Sequence, residues 1–125
     1  MGKRLAVHLY GHPRTYKQTR DSFFENIINP NKQDGWQVDI FFHFWDVFNV
    51  TDNNVWHTKQ NVFPTMSNKK LTEFDKQDII KTYSPASYTI EEDSGLPAGR
   101  YKSVKKAMEL RLKYEREHNI QYDFF

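Results

Sequence analysis

Two short apolar runs divided by one amphipathic stretch limit this chain more than any other feature. Leu5-Ala6-Val7-His8-Leu9-Tyr10 stands between basic residues and Gly-His-Pro, as expected of a strand buried on both faces at the centre of a sheet. Trp36-Gln37-Val38-Asp39-Ile40-Phe41-Phe42-His43-Phe44-Trp45 alternates at first, then turns continuously apolar and closes on Asp46, which marks a second buried strand. Between them Pro13 can open a helix, and Tyr16, Thr19, Phe23, Phe24, Ile27 and Ile28 recur at helical spacings. The pattern predicts one helix ending at Asn29-Pro30, then a polar turn in which Gly35 takes a positive φ. Strand, helix and strand make a βαβ unit with a right-handed crossover and parallel strands. Gly11 and Asp46 then share the carboxyl edge of a mostly parallel sheet.

Val47 to Lys70 shows no sustained period and reads as a long surface loop with one short helix at most. Thr72-Glu73-Phe74-Asp75 resembles a capping box with Asp in place of Glu, and it introduces a helix that Ser84-Pro85 stops. Ala86 to Glu91 alternates as a short strand, and Asp93 to Gly99 carries turn chemistry. A long helix over Lys102 to His118 is expected to bury Val104, Ala107, Met108, Leu110, Leu112 and Tyr114 and to solvate its charges. Asn119 caps it, and Ile120 to Phe125 begins another strand. The expected whole is a single α/β domain over 1–125, a three-layer Rossmann-like, mostly parallel sheet with flanking helices.

Composition narrows the function classes. A chain of 125 residues with 16% aromatics can bury roughly two-thirds of its unfolded surface around one aromatic core. A net charge of +2, with Lys and Arg spread along the chain, argues against a nucleic-acid partner held by phosphate neutralisation. The aromatics fit core packing better than a platform for stacking single-stranded bases. Zero cysteines exclude disulfides, thiolate nucleophiles and Cys-ligated zinc. No signal-peptide core and no apolar run near the ~20 residues of a membrane span is present, so the expected location is cytoplasmic, peripheral to the inner membrane at most. Without an export signal, Asn49-Val50-Thr51 is read as an accidental glycosylation match.

Gly11-His12-Pro13-Arg14 falls where open α/β sheets bind ligands. Gly11 lets backbone approach a ligand closely, Arg14 offers a fork of donors suited to phosphate, and a helix N-terminus adds partial positive charge. The loop lacks the further glycines of a dinucleotide fingerprint and the Lys-Ser/Thr of a P-loop. The plain alternative is a strand-to-helix turn with His12 packing and Arg14 in solvent. Asp46 suits a sugar or ribose hydroxyl, or Arg14, or a helix cap. His43 reads as a hydrogen-bonded sheet histidine, since the five histidines form no ligand pair at metal spacing. Glu91-Glu92-Asp93 reads as a solvated loop, and no Ser-His-Asp arrangement has recognisable local context.

Taken together, Leu5 to Thr15, Val38 to Asp46, Tyr83-Ser84-Pro85 with Tyr88 to Glu91, and Tyr122-Asp123-Phe124 resemble the N-terminal part of bacterial surface-polysaccharide glycosyltransferases. The resemblance implies a GT-A-like nucleotide-sugar-binding fold and sugar transfer onto a polysaccharide or glycolipid acceptor of capsule or lipopolysaccharide. Gly11, His12 and Arg14 would then lie near the donor's nucleotide or diphosphate, and Asp46 near its base, ribose or loop framework. No catalytic residue is assigned. In the family the strand matching Tyr122-Asp123-Phe124 runs into an Arg- and Asp-containing stretch that resembles a metal and diphosphate site. The sequence ends at Phe125, before that stretch, so the resemblance reads it as an N-terminal fragment of a larger domain. Mg2+ or Mn2+ would belong to the full-length form. The competing reading is a non-catalytic nucleotide- or protein-binding module, with self-association through the exposed edge of the terminal strand.

Overall fold

A computed structural model describes residues 3–13, 16–47, 69–92 and 99–125, with the backbone alone at 99–100. Its sheet holds β1 (Arg4–Gly11), β2 (Gln37–Trp45) and β3 (Ser87–Glu91), all parallel, in the order β1-β2-β3. On the free side of β1, Leu5 makes one parallel bridge to Phe124, supported by Ala6 N–H to the Phe124 carbonyl at 2.9 Å. Listing neighbours from the far side gives β3, β2, β1 and then the terminal segment. Chain order therefore reverses at β1.

The central position belongs to β2, not β1. Ile40 to Trp45 are all buried, whereas Ala6 is the single buried residue of β1. A full ladder holds β2 on each side, while β1 has one ladder and the single bridge that stands where a longer terminal strand was expected. Alternation along β2 then builds two cores. Ile40, Phe42 and Phe44 pack with Tyr16, Ile28, Leu71, Ile79 and Tyr83, while Phe41 faces Ala6, Tyr122, Leu110 and Tyr114. Helices thus cover both faces of the sheet, giving three layers.

Proline does not end the first helix. α1 (Tyr16–Phe23) runs into a π-helical turn over Phe24–Ile28 and on into α2 (Asn29–Gln33). Pro30 has no N–H and its ring would strike the carbonyl four residues back in a regular α-helix. The wider turn relieves this, with Asn29 N–H reaching the Phe24 carbonyl five residues back. Side-chain amides serve nearby carbonyls, Asn26 at Ser22 (2.9 Å) and Asn31 at Ile27 (2.6 Å). The helix stops in a Schellman arrangement, with Gly35 at φ 91°, Gly35 N–H on the Lys32 carbonyl and Trp36 N–H on that of Asn31.

α3 (Glu73–Tyr83) has the expected capping box. Asp75 N–H donates to Thr72 Oγ1, and Asp75 Oδ2 accepts from Thr72 N–H. It ends on Ser84 in the left-handed region, just before Pro85. α4 (Gly99–His118) differs from its apolar pattern. The stripe it lays on the sheet is Ser103, Ala107 and Arg111, all buried, while Met108 and Leu112 are exposed. The small Ser103 and Ala107 let the helix sit close, and the sheet offers polar partners, His43 for Ser103 and His8 for Arg111. Asn119 closes the helix at φ 52°. No described helix is long and apolar enough to cross a membrane.

Candidate functional site at the carboxyl edge of the sheet

Parallel register delivers the ends of all three strands to one edge. Gly11 stands opposite Phe44, and Trp45 opposite Glu91. Asp46 follows directly. Its N–H donates to the Glu91 carbonyl at 2.9 Å and its carbonyl accepts from Leu71 N–H at 2.7 Å, so its backbone joins β2, β3 and the approach to α3. Gly11, His12 and Asp46 are therefore brought to one edge, as the sequence suggests. Arg14 and most of the Val47 to Lys70 loop lie outside the described residues.

Gly11 carries φ 96°, and a Cβ there would meet nothing within 4 Å. Glycine is required by the backbone conformation, not by lack of room. The Gly11 N–H turns inward and donates to Ser103 Oγ at 2.8 Å. Pro13, buried, accepts Tyr16 N–H at 2.9 Å where α1 begins. The loop is fastened at both ends.

From Ser103 a polar chain crosses the edge. Ser103 Oγ lies 2.6 Å from His43 Nδ1, and His43 Nε2 lies 2.8 Å from Glu91 Oε1, which also takes the Lys106 ammonium. Lys106 stands over the Trp45 ring, which meets the His43 ring edge-on. Glu91 has its pKa lowered, chiefly by Lys106 and then by His43, so it is an ionised acceptor. Nε2 must then carry a proton. Burial pushes the His43 pKa below its ordinary value, outweighing Glu91, so the neutral ring leaves Nδ1 to accept the Ser103 hydroxyl.

Ser103, His43 and Glu91 have the composition of a nucleophile triad. Ser103 and His43 are both 0% exposed, so the hydroxyl has no opening to a substrate and serves the Gly11 amide instead. No family model, curated protein or solved structure matches this chain. What the edge can do chemically thus rests on its own groups: a fixed glycine turn, the Asp46 junction and a half-buried Lys106–Glu91 pair. Among the described residues, no group of three or more His, Asp and Glu side chains could hold a metal ion.

His43 is the hydrogen-bonded sheet histidine that its sequence context suggests. Glu91, by contrast, does not simply solvate a loop, and Ser103 gave no sequence signal on its own. The one available clue was the four-residue spacing Ser103, Ala107, Arg111, which only a close helix-to-sheet contact makes meaningful.

The histidines set a pH dependence. His8 is also pushed below its ordinary pKa, first by burial and then by the Arg111 guanidinium. For both rings the folded pKa is depressed, so the unfolded chain binds more protons below about pH 6.5. Stability should be fully present above that pH and decline towards pH 5, by up to about 1.4 kcal/mol per pH unit for each ring. Urea unfolding at pH 7.5, 6.5 and 5.5 checks this. A constant or rising stability on acidification would contradict the assignment.

Proposed function

We propose that this chain is the nucleotide-sugar-binding portion of a glycosyltransferase of bacterial surface polysaccharide biosynthesis, with a GT-A-like fold. The observation that supports it most is the fastened Gly11 turn at the carboxyl end of β1, the strand at which chain order reverses. Open α/β sheets take their ligands in the crevice outside such a reversal. Asp46 and Glu91 at the same edge supply carboxylates suited to ribose or sugar hydroxyls, and Lys106 adds a cation for a diphosphate. In this reading Arg14 and the backbone beyond Gly11 meet the diphosphate, and Asp46 meets the ribose or base. The acceptor in this reading is a polysaccharide or glycolipid. The location is cytoplasmic.

Calorimetric titration with uridine, guanosine, adenosine and thymidine diphosphates, beside the matching nucleosides, tests the proposal. At least one diphosphate should bind and its nucleoside should bind more weakly. Arg14→Ala should weaken the diphosphate about tenfold or more, the weight of one charge-assisted hydrogen bond. Equal binding of diphosphate and nucleoside, or no binding by any member, would remove the reading.

A further inference from the structure

We propose that Ser103 and His43 are positioning residues, a buried clamp that sets the Gly11 turn in its ligand-ready shape before any ligand arrives. This rests on the reading that a nucleoside diphosphate binds at the β1 edge. Three distances carry the inference: Gly11 N to Ser103 Oγ at 2.8 Å, Ser103 Oγ to His43 Nδ1 at 2.6 Å, and His43 Nε2 to Glu91 Oε1 at 2.8 Å. The first two bonds span 92 and 60 positions in sequence, so they tie together segments that nothing local would align.

Ser103 holds this place because a hydroxyl has one proton and two lone pairs. With neutral His43, it donates to Nδ1 and accepts from Gly11. If His43 gains a proton, Nδ1 becomes a donor. The hydroxyl can then turn its own proton to the His43 carbonyl, 3.0 Å away, and accept from both Nδ1 and Gly11. Gly11 keeps its acceptor in either state. The groups around the ring are Glu91 of β3 and Lys106 and Ser103 of α4, with the Trp45 ring at its edge. The clamp therefore tolerates protonation, and it depends on the hydroxyl and not on the charge of the ring. Among the described residues every buried side-chain nitrogen and oxygen has a partner.

The test needs a reading that global stability does not move. In the ligand-free protein, exchange of the Gly11 amide is compared by NMR with that of the Phe41 and Phe42 amides in β2. Ser103→Ala should speed Gly11 exchange about tenfold or more relative to those two. His43→Asn keeps a polar group near Nδ1 and should retain protection, whereas His43→Gln shifts it towards Glu91 and should lose part of it. The same variants are then titrated with whichever nucleoside diphosphate the wild type binds. Affinity should fall in the order of Gly11 protection. Unchanged relative exchange in Ser103→Ala overturns the clamp. Faster exchange with unaltered affinity overturns its role in binding. If Ser103→Ala fails to fold, the two His43 variants decide, and equal Gly11 protection in them counts against the inference. A wild type that binds no diphosphate defeats the proposed function, while the exchange result still judges the clamp.

Discussion

Phe42→Ala should lower the unfolding free energy by about 3–5 kcal/mol, the usual cost of removing a fully buried phenyl group. Phe42 is 0% exposed at the middle of β2 and touches three further rings. It stacks on Phe44 at 4.5 Å and meets Tyr83 and Tyr88 at 6.2 and 5.3 Å. Losing it leaves Phe44 and Tyr83 facing a void that the pleated backbone cannot collapse to fill. Since domains of this size carry a total stability on the order of 5–15 kcal/mol, the variant should stand at the margin of folding. Urea titration followed by tryptophan fluorescence measures the change. A loss below about 1 kcal/mol would mean that the site repacks, contrary to this ring geometry.

Arg111→Ala should be comparably damaging, for an electrostatic reason. The Arg111 side chain is 6% exposed and that of Glu115 is 13% exposed. The guanidinium bonds Glu115 Oε1 at 2.5 Å and His8 Nε2 at 3.2 Å and lies 3.8 Å from the Phe125 ring centre. Deleting it leaves a mostly buried carboxylate without its counter-charge, a change that typically costs about 3–5 kcal/mol. The control is Arg111→Met with Glu115→Leu. Removing both charges should recover much of the loss, although Tyr122 N–H would still lack its acceptor, Glu115 Oε2. If the double variant is no more stable than Arg111→Ala in urea, an uncompensated charge is not the cause.

Arg111 also shows where sequence reading met its limit. A basic residue within a charged helix looks like part of a solvated face, and nothing local says that two histidine-bearing strands will pass beneath it. Features fixed by short-range chemistry were legible: the capping box at Thr72, the left-handed turn at Gly35 and the stop at Ser84-Pro85. The parallel pairing of β1 with β2 followed from the strand, helix and strand pattern. Pro30 misled because its penalty assumes regular α geometry, and the π-helical turn avoids that penalty. At the candidate site, Gly11 and Asp46 could be placed at one edge by topology alone. The Ser103, His43 and Glu91 chain could not, because it depends on how closely α4 approaches β2, a distance that periodicity does not encode.

The bridge beside β1 bears on the order in which the molecule assembles. Arg4 N–H bonds the Asp123 carboxylate at 2.8 Å across 119 positions, and Ala6 meets Phe124 nearby. Closing so long a loop costs entropy that local contacts do not return, so such pairings tend to form late and slowly. β1 can find β2 as soon as the first helix has formed, but its other side must wait for Tyr122 to Phe125. During synthesis the strand bearing the Gly11 turn would spend most of that time with an open edge. The interval in which this protein is most exposed to wrong pairing thus opens with β1 and closes when Tyr122 to Phe125 arrive.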